Sequence, residues 1–166
     1  MITKNEIYCS FSDAIVEIYN AAVPTRMATA DLEPVSIESR KNWFKGRTPS
    51  HLPLWVVEID GIIGGWLSFQ SFYNRAAYHA TAEISIYISP NFQGQGLGKK
   101  LLQESISQCP NLGIENLMSF IFAHNEPSLK LFSSFGFQHW GLLPKVADLD
   151  GVKRDLIILG LNLVES

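Results

Sequence analysis

Residues 82 to 109 constrain the fold more than any other stretch, because three runs follow one another without a break: "AEISIYIS", "PNFQGQGLGKK" and "LLQESISQC". The first alternates Ile84, Ile86 and Ile88 with polar or amphipathic neighbours, the period of a strand, and Pro90 ends ladder pairing. The last continues a stripe of Leu97, Leu101, Leu102, Ile106 and Cys109 at spacings near three and four, the period of a helix, which Pro110 closes. Between them, glycines 94, 96 and 98 leave backbone amides uncovered where the helix presents its positive end. A strand that enters a helix through such a loop makes an anion cradle on an α/β scaffold.

The loop excludes two familiar nucleotide motifs. A P-loop needs glycine at position 93 and Ser or Thr at position 100, and the chain has Gln93 and Lys100 there. The dinucleotide pattern GxGxxG, started at Gly94 or at Gly96, meets Lys99 or Leu101 where its last glycine belongs. A plain strand-to-helix turn remains an alternative for glycines alone.

The rest of the chain reads as one mixed α/β domain spanning residues 1–166. Ile15, Ile18, Tyr19 and Ala22 recur at helical spacing after a Ser-rich start, Ser10 to Asp13, suited to capping. Pro24 and Pro34 interrupt the next stretch, and "VSIESRKNWFKGR" reads as a short helix ending near Gly46. "LWVVEIDGIIGGWLSF" is two strands joined by a tight Asp60-Gly61 turn. "LMSFIFA" is a strand, Asn125 caps a helix with Pro127 in its first turn, Gly136 stops it, and "FQHWGLL" and "RDLIILGLNLV" close the order with two strands. No internal repeat or linker divides it.

Bulk properties narrow the function classes. A formal charge of −3 and a pI near 5.8 give no general attraction to nucleic acid or to an anionic membrane, so anion binding must be local. Cys9 and Cys109 lack metal-ligand spacing and read as reduced, packed thiols, so no metal is expected. The N-terminus has no apolar signal-like run, and "LIILGLNLV" is too short to span a bilayer, which makes a cytoplasmic chain the expectation.

The pattern that does fit the loop is Q-x-x-G-x-G, with Gln93, Gly96 and Gly98. It resembles the pyrophosphate-binding loop of the GCN5-related N-acetyltransferases (GNAT). Downstream, "NEPSLKLFSSFGF" is similar to that superfamily's N-x-x-(S/A)-x-x-L-(Y/H)-x-x-x-G-F segment, with Asn125, Ser128, Leu131, Gly136 and Phe137 in place. Across nearly the whole chain the likeness is to the phosphinothricin and methionine sulfoximine acetyltransferases, in "EIYNAAV", "PVSIESRKNWF" and "GGWLSFQSFYNRAAYHATAEISIYIS". There Phe72, Arg75, Ala77, Tyr78, Thr81, Glu83, Ser85 and Tyr87 match, while Tyr73 and His79 replace arginines. In "DGVKRDL", Gly151 and Asp155 match and Lys153 replaces a tryptophan.

The resemblance implies the GNAT acyltransferase fold, a central, mostly antiparallel sheet flanked by helices, with acetyl-CoA as co-substrate, a small amino-acid-like amine as acceptor, and a possible homodimer. It implies Glu83 as the general base, since acetyl transfer to an amine needs a group to take the proton. Backbone groups of Ile86, Tyr87 and Ile88 would run beside the pantetheine arm, and an N–H near Ile88 would polarise the thioester. Gln93, Gly94, Gln95, Gly96, Leu97 and Gly98 would hold the pyrophosphate, helped by Lys99 or Lys100, with Asn125 and Ser128 at the cofactor arm. Many relatives have Tyr or His where this chain has Phe132, which has no proton to give the departing thiolate. For the acceptor, the expected residues are Phe72, Tyr73, Arg75, Tyr78, Glu83 and Ser85, with Arg75 suited to a carboxylate and Arg26 a further basic residue. His124 and His79 adjoin these segments, whereas nothing argues for His51 or His139. The competing readings are a CoA-binding regulatory module without turnover, and an acetyltransferase for a protein or other amine.

Overall fold

The computed structural model describes residues 1–3, 11–48 and 50–164. Its strands are β1 (Ile2–Thr3), β2 (Leu54–Ile59), β3 (Ile62–Ser71), β4 (Thr81–Ile88), β5 (Asn116–Phe122), β6 (Gln138–Leu149) and β7 (Val152–Asn162). Its helices are α1 (Ser12–Ala22), α2 (Ile37–Lys45), α3 (Leu97–Gln108) and α4 (Glu126–Ser133). The strands form one sheet in the order β1-β2-β3-β4-β5-β7-β6. Every neighbouring pair is antiparallel except β4 and β5.

Over β2, β3 and β5 both faces of the sheet are largely buried, whereas β6 at its edge is mostly exposed, and the period-2 alternation of the strands divides the apolar residues between the faces. Trp55, Val57, Leu67, Phe69, Ala82 and Ile84 face α3 and α4, where Leu97, Leu101 and Leu102 complete one core. Their sequence neighbours Leu54, Val56 and Trp66 face α1 and α2 and pack on Ile15, Ile18 and Phe44. Leu101 is fully buried, so truncation to alanine would remove about 2–5 kcal/mol of stability.

Local chemistry sets the element ends. Asp60 and Gly61 both take positive φ, 49° and 80°, as a tight hairpin turn requires, and Asp150-Gly151 repeats the device between β6 and β7 at 54° and 85°. Ser36 caps α2 through its hydroxyl to the Ser39 amide, and Asn125 caps α4 through its side-chain oxygen to the Ser128 amide. The expected Ser-rich cap of α1 differs: Phe11 holds the N-cap position and makes no side-chain cap bond. Ser10 and Cys9 lie outside the described residues. Strand β6 runs past Leu143 because Pro144 sits at a register shift on the outermost strand, where a missing N–H breaks no essential bond. Strand β1 was not expected from the sequence; two residues with no periodicity gain their identity from pairing with Val56 and Val57.

The decisive feature for function is the parallel pair. Strand β4 meets β5 only at Thr81–Glu83 against Asn116–Met118, while β4 stays paired to β3 as far as Ile88 and β5 stays paired to β7. Beyond Glu83 the two strands therefore part, and a cleft opens in the middle of the sheet.

Candidate active site

The cleft is walled by backbone. Ser89 donates its N–H to Gly64 O at 2.9 Å, and the alternation of an antiparallel ladder then turns the N–H and C=O of Ile88 and Ile86 away from β3, into the opening. Tyr87 lies between them with its backbone toward β3. At the mouth, Gly94 and Gly96 hold φ of 75° and 77°, and a Cβ at either would meet nothing within 4 Å, so both face open space. Gly96 is the N-cap of α3 and gives no side-chain cap. Its carbonyl takes the Lys100 amide at 3.0 Å, which leaves the amides of Leu97, Gly98 and Lys99 without an intrahelical acceptor. Gly98 tucks in, where an added Cβ would stand 3.2 Å from Leu131.

The cofactor residues expected from sequence line this cleft except Lys100 and Gln95, and the side-chain amide of Gln95 turns back to Asn91 O at 3.3 Å. The cleft has two connected parts of about 550 Å³ and 470 Å³, sharing Ile86, Asn125, Ser128 and Phe132. Phe132 is buried edge-on against Phe137, ring centres 5.0 Å apart.

A strap of backbone after α1 crosses the cleft. Side chains from both of its walls donate to three successive carbonyls. His124 Nε2 meets Arg26 O at 2.8 Å, Asn125 Nδ2 donates to Met27 O at 3.0 Å, and the Tyr87 hydroxyl donates to Ala28 O at 3.1 Å. Arg26, expected near the acceptor, is instead part of this strap. Its guanidinium pairs with Asp150 at 2.7 Å and donates to the carbonyls of Val23 and Leu32. Burial, then the Tyr19 hydroxyl, pushes the Tyr87 phenol above its ordinary range.

On the other side of β4 lies a smaller cavity of about 210 Å³ under α1 and α2. Three cross-strand pairs form its floor: Trp66 with Tyr87, Ser68 with Ser85, and Gln70 with Glu83. Trp66 and Tyr87 stack at 4.6 Å, and Trp43 of α2 meets Trp66 edge-on at 5.8 Å. Arg40 reaches in from α2. It lies 4.8 Å over the Tyr19 ring and 2.8 Å from Asp31, which also accepts from the Tyr19 hydroxyl at 2.6 Å. Glu83, Ser85 and Tyr87 line both this cavity and the cleft, so they form the partition between them. Burial raises the Glu83 carboxyl above the ordinary range, and no hydrogen bond or ion pair engages it among the described residues.

The structure separates the expected acceptor residues. Glu83 and Ser85 stand in the cavity. Phe72 and Tyr73 line a shallower hollow beyond Trp43 and Gln70, and with Tyr78 they make an aromatic group with centroid spacings of 4.5–5.8 Å. Arg75 is exposed at the start of a short turn, Ala76–Tyr78, beside this group. His79 bonds Ala76 O at 2.8 Å in that turn. Sequence reasoning missed Arg40, Trp43, Trp66, Ser68 and Gln70; the alternation in "WLSFQ" carried the signal for the last three. Cys109 is buried, its thiol pushed up to about 12 by desolvation, and far from a reactive state. Among the described residues no group of His, Cys, Asp and Glu could hold a metal ion.

Comparison with known proteins agrees with this geometry. The family model described as "Acetyltransferase (GNAT) family" matches residues 13–137. YwnH of Bacillus subtilis, a provisionally named phosphinothricin acetyltransferase, is 53% identical over 152 residues, 91% of this chain and 93% of that protein. The L-methionine sulfoximine/L-methionine sulfone acetyltransferase of Salmonella typhimurium is 33% identical over 92% of this chain and 89% of its own. The crystal structure of a phosphinothricin acetyltransferase from Sinorhizobium meliloti, in complex with acetyl-CoA, superposes with a TM-score of 0.91 at 28% identity, covering all of this chain and 89% of that one. With a split parallel pair at its centre and relatives matched almost end to end, the chain belongs to the GNAT acetyltransferase family, whose acetyl donor is acetyl-CoA.

Proposed function

We propose that the protein transfers acetyl from acetyl-CoA to the α-amine of a small amino acid or amino acid analogue, by direct attack of the amine with Glu83 as general base. The observation that carries this reading is the position of Glu83 on the partition between cavity and cleft. An amine in the cavity can reach through that partition, and the carboxylate that takes its proton is already there.

The cleft suits the donor on its own features. Open glycines and unpaired helix amides at Gly94–Lys99 match a pyrophosphate. The outward N–H and C=O groups of Ile86 and Ile88 match the amides of a pantetheine arm as an added strand would. Bound there, acetyl-CoA supplies a thioester carbonyl, and the Ile88 N–H is the donor that polarises it. Asn125 spends its side chain on the Ser128 amide and Met27 O, which makes it the joint between α4 and the strap. Phe132 donates no proton, so water or another group must protonate the departing thiolate.

In the cavity, the raised pKa of Glu83 brings its basicity closer to that of the amine it serves. The curated relatives' names mark phosphinothricin, methionine sulfoximine and methionine sulfone as acceptors of those enzymes. Each is an α-amino acid, and a cavity of about 210 Å³ is of that scale. A carboxylate calls for a guanidinium. Arg40 is the one that lines the cavity, and Arg75 is the second candidate.

Thiol release from acetyl-CoA tests this across phosphinothricin, L-methionine sulfone, L-methionine, simple alkylamines and peptides. Turnover is expected with the free amino acids and not with their N-blocked forms. Release with peptides alone would overturn the acceptor class, and CoA binding with no release for any amine would overturn the enzyme reading.

A further inference from the structure

The floor of the cavity holds four polar side chains, and among the described residues none of them makes a side-chain hydrogen bond: Ser68, Gln70, Glu83 and Ser85. Ser68 is the most telling. It is 0% exposed, and among the described residues its hydroxyl oxygen has no partner. Native cores avoid this, because a buried hydroxyl without a partner loses its water and gains nothing. Of the neighbours on the same face, Trp66 gives its indole N–H to Ile15 O at 3.0 Å, and Trp43 meets the Trp66 ring edge-on. A hydroxyl kept there awaits a ligand atom.

Resting on the acceptor reading above, we infer that Ser68 and Gln70 determine acceptor specificity by hydrogen-bonding an oxygen on the head of the acceptor's side chain, while the Trp43 and Trp66 rings take its methylenes. The register supports the division of labour. Ser68 lies opposite Ser85 and is the diagonal neighbour of Glu83, a separation of about 7–8 Å across the ladder. One α-amino acid spans it with the amine at Glu83 and the side-chain head at Ser68. A head that accepts hydrogen bonds suits this floor, since Ser68, Ser85 and the Gln70 amide all have protons to give. A pocket built this way rejects the analogue that lacks the oxygen, because its own polar groups then stay unpaired.

L-methionine sulfone and L-methionine are the matched probes, differing only in two sulfur-bound oxygens. Wild type is expected to favour the sulfone in kcat/KM by about tenfold or more. Ser68→Ala and, separately, Gln70→Leu should each lower that sulfone-to-thioether ratio by about fivefold to tenfold, through KM rather than kcat. Ser68→Thr keeps the hydroxyl and should restore the ratio. Because Gln70 is only half-buried, Gln70→Leu remains informative even if substitutions at Ser68 perturb folding. A wild type that acetylates both amino acids, with a ratio unmoved by Ser68→Ala and Gln70→Leu, overturns this inference alone. A wild type that acetylates phosphinothricin but neither of these overturns this inference alone, and one that acetylates no amino acid overturns the proposed function with it.

Discussion

The cleft and the cavity share the wall formed by Glu83, Ser85 and Tyr87, yet they are built from different material. The cleft is backbone: glycines at positive φ, a bare helix end, two outward-turned strand residues and a strap held by its carbonyls. The cavity is side chain: stacked rings, two serine hydroxyls, an amide and a guanidinium already leaning on Asp31. A backbone site recognises what all substrates of a family have in common. A side-chain site can be rewritten one residue at a time.

Removing the shared group should give the largest effect. Glu83→Gln should lower kcat by about 10²- to 10⁴-fold while CoA affinity, read by calorimetry, stays within about twofold. Wild-type activity should fall on the acid side as pH drops through the raised Glu83 pKa, and that limb should vanish in the variant. Stability runs the other way. A carboxyl whose folded pKa lies above its unfolded value binds more protons when folded, so its contribution is complete below the ordinary glutamate range and is lost as pH rises through the folded value. Glu83→Gln should therefore melt at or above wild type near neutral pH, with the gap closing in acid. Full activity in Glu83→Gln across pH would sink the general-base assignment.

The next test strikes the cleft alone. Gly96 caps α3 at a φ of 77°, a conformation that a β-branched residue resists by about 1–2 kcal/mol or more. Gly96→Val should weaken CoA binding about tenfold and lower the melting temperature, with acceptor KM little changed. If acceptor KM moved as much as CoA affinity, the two sites could not be treated as separately built.

This division also explains what was legible in the sequence. Gly94, Gly96, Asn125 and the Asp60-Gly61 turn announce themselves because backbone geometry demands particular residue types. The sheet followed from period-2 runs, whereas Glu83 stood out only through the resemblance of its segment to the acetyltransferases. Ser68, Gln70 and Trp66 were hidden because their meaning lies in the register that sets them opposite Ser85, Glu83 and Tyr87. Arg40 was hidden because a helical arginine looks solvated until the packing of α2 brings it over Tyr19. Arg75, by contrast, stands on an exposed turn although its sequence context resembles an acceptor segment.

Arg40 and Arg75 accordingly break or sharpen the picture of the cavity. Arg40→Met should raise KM for a carboxylate-bearing acceptor about five- to tenfold, the scale of one charge-assisted hydrogen bond, and Arg75→Met by about twofold or less. Steady-state kinetics with an amino acid and its decarboxylated amine separates the two, because only the amino acid should feel Arg40→Met. The reverse ranking would move the acceptor carboxylate to the aromatic group of Phe72, Tyr73 and Tyr78.

The smallest effect is expected at Lys99, exposed in the first turn of α3. A cation there faces the positive end of the helix, so Lys99→Ala should leave stability unchanged or raise it by about 0.3 kcal/mol. If Lys99 also helps hold a CoA phosphate, the same change should raise KM for acetyl-CoA about two- to threefold at low ionic strength. That difference should disappear near 0.5 M salt, a concentration at which exposed charges are screened within about 4 Å. Opposite signs for stability and affinity would mark Lys99 as kept for the ligand despite the helix. An unchanged KM at low salt would instead leave the whole grip on the pyrophosphate to the amides of Gly94–Lys99, and the cleft would then be a backbone site in the strictest sense.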